Sequence, residues 1–454
     1  MRNVVQLKGL FAADVGGVAE SKIIDVSNFQ GTIGRAIVVP ASEQTEVIVG
    51  LGHEKNFSPQ VLRNALRSLS SLNLDGHQVT IDDMVQRIMH IIPPSKSIPI
   101  IAACLMSGHS DLTVAHDSKD VGDATSVAEA QGIRLAKAVT NAPGTAMNPN
   151  AFAELTRQSC ANKSFSVEII SGTDLISQGF PAIEAMGAGS PYEPQFIRID
   201  YLPDSKKAPT VLIGKGVTFD TGGLSLKEPA AMAGMRHDIC GAATVLSVMS
   251  ILPDLDYDEP VIALLPVIEN MLGPNSIRPG DDIATRSGIP LRILDTDFEG
   301  RVIMADALSF ASELNPKMII DFSTLTYQSV IALGPEIAAY FCNAEQLAND
   351  FSVSAQGAGE YFWRLPLATI YDEQIRTSIG LKNHPETDSG RAITAALLLQ
   401  EFVGDGIPWL HIDATGPTWI GSAGKDGATG FGVSTLINLL LNASAPSKHN
   451  VTNS

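Results

Sequence analysis

Lysines, carboxylates and an arginine of this chain are set among glycines, where a backbone can come close to a ligand. IGKGVTFDTGG, Ile213 to Gly223, sets Lys215 between two glycines and Asp220 just before two more, with Lys227 shortly after. MRHDIC supplies Asp238, and DTDFEGR, Asp295 to Arg301, supplies Asp297, Glu299 and Arg301. Carboxylate oxygens are what hard divalent cations take, and glycine permits the close approach. Asp297 and Glu299 are two apart, so an extended segment would point both carboxylates the same way, and Asp220 and Asp238 are expected at two other strand ends. The four acids are either separate solvated loop residues or, if they converge, a self-repelling cluster that a pair of divalent ions would neutralise. Lys215 is either a surface lysine or a neutral amine ligand, because a nearby cation depresses its pKa. Arg301 falls at a helix start, where a cation opposes the dipole, which favours an anion-binding role.

Other chemistries fail on spacing. IGKGVT lacks the residue order of a phosphate-cradling loop, and neither HExxH nor GxSxG occurs. His237 and His411 are isolated and make no zinc signature, so they are expected to pack or to support a ligand from behind. Cys104, Cys160, Cys240 and Cys342 form no CxxC pair and suit packing in a reducing compartment. A formal charge of −18 opposes attraction to nucleic acid or anionic lipid. No uninterrupted apolar run reaches membrane-spanning length, and Asp14 falls where a signal peptide would stay apolar, so no membrane span and a cytoplasmic location are expected.

These residues need a scaffold, and 454 residues with 44% hydrophobic content suffice for two domains. EVIVGLG reads as a strand, and SPQVLRNALRSLSSL as a helix capped by Ser58 with Pro59 at its first position. IPIIAACLMSG, Ile98 to Gly108, reads as another buried strand, HSDLTVAHDSKDVGD as a loop, and ATSVAEAQGIRLAKAVTNAP as a long helix stopped at Asn141 to Gly144. Further on, TVLIG, PVIALLPVI, LRILDTD, KMIIDFS and WLHIDA are apolar strands alternating with the helices GAATVLSVMSIL, RVIMADALSFASEL and AITAALLLQEFV. The expected fold class is α/β, with two α/β domains, the C-terminal one a mixed, mostly parallel central sheet sandwiched by helices. Expected boundaries are an N-terminal α/β domain at 1–121, a linker helix at 122–144 and a catalytic domain at 145–454, ending in a frayed tail, NASAPSKHNVTNS. Ligands in such sheets sit at the carboxyl ends of strands, where both charged motifs fall.

In order and spacing, IGKGVTFDTGGLSLK, MRHDICGAAT, ENM with IRPGDDIATRSG, LDTDFEGRVIMADAL and IIDFSTLT resemble the leucyl (cytosol) aminopeptidase family, somewhat in the manner of bacterial peptidase B. The likeness runs from about Ala124 to Leu441, and the part before it is similar only in being α/β. The resemblance implies that Lys215, Asp220, Asp238, Asp297 and Glu299 ligate two divalent metals per subunit (Zn or Mn, or else Mg), with Lys227 and Arg301 at the two catalytic positions. It implies a metal-bridging hydroxide attacking the first peptide carbonyl, a bicarbonate ion at Arg301 as general base, short peptide substrates and a homohexamer. It also places Met235, Thr324, Tyr327, Phe298 and Ala428 around the substrate pocket. The sequence departs from the family at Asp295, usually Asn, at Phe298, usually Ala, and at Cys240 and Tyr327, usually Gly. Glu228 replaces the proline after the catalytic lysine. None of these removes a metal ligand; Phe298 and Tyr327 bear instead on substrate preference. A binding protein derived from the same fold, and a phosphohydrolase using the same metals, are the rival readings.

Overall fold

The computed structural model describes residues 3–14, 32–33, 35–39, 45–109, 111–117, 119–120, 122–421 and 427–444. They form two units, the first taking in Met1–Arg134, Ser352–Tyr361 and Ser434–Asn442. Its strands β1 (Asn3–Phe11), β2 (Ala36–Val39), β3 (Thr45–Gly52), β4 (His77–Thr80), β5 (Thr113–His116) and β6 (Lys119–Asp120) lie in the order β2-β3-β1-β4-β5-β6. β1 runs parallel to β3 and β4, and the two edge strands are antiparallel to their neighbours. Ser58 caps the helix Pro59–Leu66 by accepting from the Val61 N–H, with Pro59 at the first position, as its sequence dictates.

Two expectations in this unit are overturned. Ile98 to Gly108 belongs to the helix Pro94–Gly108 and not to a strand. A short continuous apolar run fits a buried helix as well as a buried strand, and Ala102, Ala103, Leu105 and Met106 favour the helix. The stretch read as a loop contains β5, of which only Val114 and Ala115 are buried, too few for a visible alternation.

The second unit comprises Leu135–Phe351, Phe362–Val433 and Ala443–Ser454. Its strands are β7 (Phe165–Ser171), β8 (Gln195–Tyr201), β9 (Thr210–Gly214), β10 (Gly216–Asp220), β11 (Val261–Asn270), β12 (Asp282–Ile283), β13 (Leu291–Arg292), β14 (Met318–Ser323), β15 (Ala338–Cys342), β16 (Phe362–Arg364), β17 (Leu381–Lys382), β18 (Trp409–Asp413), β19 (Trp419–Ile420) and β20 (Gly427–Ala428). The main sheet has the order β16-β15-β18-β14-β9-β11-β8-β7, with β10 also paired to β11. β18, β14, β9, β11 and β10 form its parallel centre, and β8 and β7 extend it antiparallel. All ten residues of β11 are buried, as expected for a strand covered on both faces. The helix Glu299–Glu313 packs into the core that holds Ile213, Leu264 and Ile319, and the helix Cys240–Ile251 contacts β9, β11 and β14 as well. The architecture is α/β, a mixed and mostly parallel sheet between helices. The helical stretch Met235–Leu255 is long and apolar enough to cross a membrane, yet 78% of it is buried inside the protein, which makes it a core helix.

LRILDTD is not a strand of the main sheet. Only Leu291–Arg292 is extended, as β13 in a small sheet with β12 and β17, because the acids that follow turn the chain into a helix start. The tail beyond residue 444 lies outside the described residues.

Candidate active site

Lys215 occupies the break between β9 and β10, its N–H donating to the Phe322 carbonyl (3.1 Å) and its own carbonyl accepting from Ala242 (2.8 Å). Asp220 is the last residue of β10. Asp238 comes from the 3-10 turn Met235–Ile239 that leads into a helix, not from a strand end. Asp297 lies in the turn Thr296–Phe298 and Glu299 opens the helix Glu299–Glu313, so their carboxylates converge through helical geometry, not through the alternation of a strand. Lys215 Nζ pairs with Asp238 and with Glu299 (3.1 Å), and Lys227 Nζ with Asp220 (2.8 Å) and Asp297. Asp220, Asp297 and Glu299 each offer a carboxylate oxygen, all within 4.8 Å of one another. Two glycines permit this closeness. Gly222 has φ +86, and a Cβ there would stand 2.9 Å from Asp297 Oδ1; any side chain at Gly300 would collide with that of Lys215.

The electrostatics are out of balance. Four carboxylates meet two ammonium groups in a site where Lys215, Asp220, Asp238 and Glu299 are at most 5% exposed. Burial, then Asp220, pushes Glu299 up to about 8 and Asp297 up to about 7. Burial also raises Asp238, against the pull of Lys215. Burial alone would lower both lysines, but Asp238 and Glu299 at Lys215, and Asp220 and Glu299 at Lys227, hold them above their ordinary range. Glu299 Oε2 makes no hydrogen bond. An oxygen-rich, partly unsatisfied group with excess negative charge is the donor set that divalent cations take, so the residues fit a metal centre.

Several residues that sequence reasoning passed over hold this cluster. Asn270 Nδ2 donates to Asp220 Oδ1 (2.8 Å) and to the Thr296 carbonyl (3.0 Å). Thr296 Oγ1 donates to the Gly222 carbonyl (2.6 Å) and accepts from the Ser225 N–H (2.8 Å), tying the glycine loop to the DTDFEGR segment. Asp413, buried at the end of β18, accepts from the Leu325 N–H (3.1 Å) and from Thr326 Oγ1 (2.5 Å), which fixes the turn carrying Thr324. Their signal is polar side chains at the ends of apolar strands, a pattern too common to single out. Arg301 lies behind Glu299, 2% exposed, its Nη1 donating to the Asn383 carbonyl (2.9 Å). No carboxylate pairs with it among the described residues, and burial pushes it down to about 10.

A sequence profile of the cytosol aminopeptidase family, catalytic domain, matches residues 134–437, about two thirds of the chain. The chain belongs to the cytosol aminopeptidase family. It is thus a metal-dependent aminopeptidase, a hydrolase. A "Probable cytosol aminopeptidase" of Polaromonas sp. is 32% identical over 453 residues, covering 97% of this chain and 85% of the relative. One from Roseiflexus castenholzii is 39% identical over 324 residues, 70% of this chain and 66% of the relative. Among solved structures, the bottromycin maturation enzyme BotP in complex with Mn is similar with a TM-score of 0.84 at 28% identity, covering 98% of this chain and 100% of BotP. The cytosol aminopeptidase of Coxiella burnetii gives 0.81 at 28%, covering 97% and 98%.

The pocket residues expected for this aminopeptidase do not all gather at the cluster. Thr324 does, its hydroxyl donating to Asp238 Oδ1 (2.6 Å) and its carbonyl accepting from Lys215 Nζ (3.3 Å). Phe298 does too, with the Arg301 guanidinium 4.4 Å from its ring centre. Met235 begins the turn that carries Asp238, and Ala428 pairs with Trp419, whose ring stacks 5.4 Å from His237. Tyr327 opens the helix Tyr327–Leu333 and is 67% exposed. His411 is buried on Asp321 (2.5 Å), and His237 bonds the Gly234 carbonyl (2.5 Å); neither touches the carboxylates.

Proposed function

We propose that Lys215, Asp220, Asp238, Asp297 and Glu299 hold two divalent cations and that the cluster removes the N-terminal residue from short peptides. The observation that carries the reading is a buried group of four carboxylates that outnumbers its two lysines, with Glu299 Oε2 unsatisfied. Zn²⁺, Mn²⁺ or Mg²⁺ fits such oxygen ligands with one amine, and when bound the ions would supply an activated water and polarise the scissile carbonyl. Lys215 must give up its proton to ligate, so ion binding and proton release are coupled there. Lys227, with Asp220 and Asp297 on either side, presents an ammonium to the oxygen on which charge develops in the transition state. Arg301, a buried cation with no carboxylate paired to it among the described residues, would hold bicarbonate as the general base. Asp238 and Thr324 fix one edge of the cluster, and the substrate's free amine is expected to bind there as a neutral group. The names of its relatives favour a cytoplasmic peptidase.

The test is a panel of aminoacyl reporters with and without added Mn²⁺, set against the same peptides with the amine acetylated. Activity is expected only on free amines, rising with pH as the amine (pKa roughly 8) deprotonates. Efficient cleavage of a blocked peptide, or full turnover in excess chelator, would overturn the assignment.

A further inference from the structure

Two arginines in the first turns of two helices share one aromatic ring. Arg301 stands in the first turn of Glu299–Glu313, and Arg391 opens Arg391–Gln400. No side chain caps either helix at its N-cap position. The two guanidinium carbons lie 4.4 and 5.4 Å from the centre of the Phe298 ring. A cation in a first turn opposes the helix dipole, and two cations on one ring repel each other; Asp388 offsets Arg391 from the solvent side, while no carboxylate pairs with Arg301 among the described residues. The Nε atoms of both arginines are shielded from solvent and have no hydrogen-bond partner.

The two arginines differ in access. Arg301 is 2% exposed and suits a small ion. The Arg391 side chain is 17% exposed, and Nη2 both donates to His384 Nε2 (3.1 Å) and pairs with Asp388, a carboxylate left 88% in solvent. The His384 ring lies 4.7 Å from that of Phe298 and thereby fixes where Arg391 points. An alanine at position 298 would give the two guanidiniums no common surface.

We propose that Arg391, oriented by His384 and Phe298 and joined by the free N–H groups of its helix, forms a carboxylate subsite beside the catalytic cluster that takes a carboxylate carried by the peptide substrate. That group is either the C-terminal carboxylate of a dipeptide or an acidic side chain. The proposal rests on the reading of the cluster as the peptidase centre and adds a substrate class to it.

The experiment compares kcat/KM for Leu-Gly against its C-terminal amide, and for a glutamyl against a glutaminyl anilide, in the unaltered enzyme, Arg391→Gln and Arg391→Lys. A charge-assisted contact predicts that the preference for the carboxylate form falls about tenfold or more in Arg391→Gln and is partly kept in Arg391→Lys, in the arm whose carboxylate occupies the subsite. Calorimetry with N-acetylglycine, which offers the carboxylate without a cleavable amine, should show tighter binding than N-acetylglycinamide, and Arg391→Gln should abolish the difference. Equal losses on acid and amide in both arms overturn the subsite, as does a change confined to the dependence on bicarbonate. A protein that binds N-acetylglycine through Arg391 but cleaves no peptide would sink the peptidase reading and leave the subsite standing.

Discussion

Each unit buries ions, and the two clusters are opposite in kind. In the first unit Arg63 Nε donates to the Ala358 carbonyl (2.6 Å) and Nη2 to Glu129 Oε1 (3.1 Å), while Glu129 also accepts from Ser434 Oγ. Burial alone would lower Arg63, yet the carboxylates of Glu129 and Glu360 more than reverse it and keep it charged. In the second unit the carboxylates outnumber the lysines, Glu299 Oε2 is unpartnered, and Arg301 is buried with no carboxylate paired to it among the described residues. Both clusters carry a desolvation cost of several kcal/mol per ion. The first offsets it internally and is structural. The second leaves part of it standing, and that residue of unmet charge is what a ligand would satisfy.

The sharpest way to break this contrast is to remove one carboxylate from each cluster. Asp238→Asn or Glu299→Gln should abolish nearly all activity and lose bound metal, measured by elemental analysis. A variant that keeps both its metal and its turnover would show that the excess charge has no such use. Next in size, Lys227→Ala should lower kcat by about 10²-fold with normal metal content, because it acts on charge that develops in the transition state. Lys215→Ala should lose metal instead, and equal metal loss in both variants would collapse the distinction between the two lysines.

Glu129→Gln tests the other side. It leaves Arg63 buried without its carboxylate and should cost about 3–5 kcal/mol in denaturant unfolding, with metal content unchanged. A loss of metal without a loss of stability would show that the first cluster is functional after all. The smallest effect concerns two thiols that burial pushes up to about 12, Cys160 and Cys240. Iodoacetamide at pH 8 should label neither until denaturant is added, since the thiolate is the nucleophile. Rapid labelling of Cys240 in the folded protein would mean that the helix beside Asp238 opens locally.

Much of the main sheet was legible because continuous apolar runs such as PVIALLPVI can be buried on both faces only in a covered sheet. The helix Pro94–Gly108 was not, because an apolar run has no period to distinguish a buried helix from a strand. The candidate residues were legible as charged types set among glycines, and the structure joins Lys215 to Asp238 and Glu299, and Lys227 to Asp220 and Asp297. Their route to one another was misjudged, since Asp297 and Glu299 arrive on a helical turn. Asn270, Thr296 and Asp413 were invisible because a hydrogen bond between residues far apart in the chain has no local signature.

By itself the sequence determined the inventory: two charged glycine motifs, apolar strands to carry them, and a family order that names a peptidase. Propensity and periodicity are local, so they report what each segment can become. Tertiary structure alone decided which charges are balanced. Residues 352–361 and 434–442 return to the first unit, where Ser434 completes the shell of Glu129. Phe298 gathers Arg301 and Arg391, from two helices far apart in sequence, onto one ring. Coulomb energy depends on separation and burial in space, and neither quantity is written along the chain.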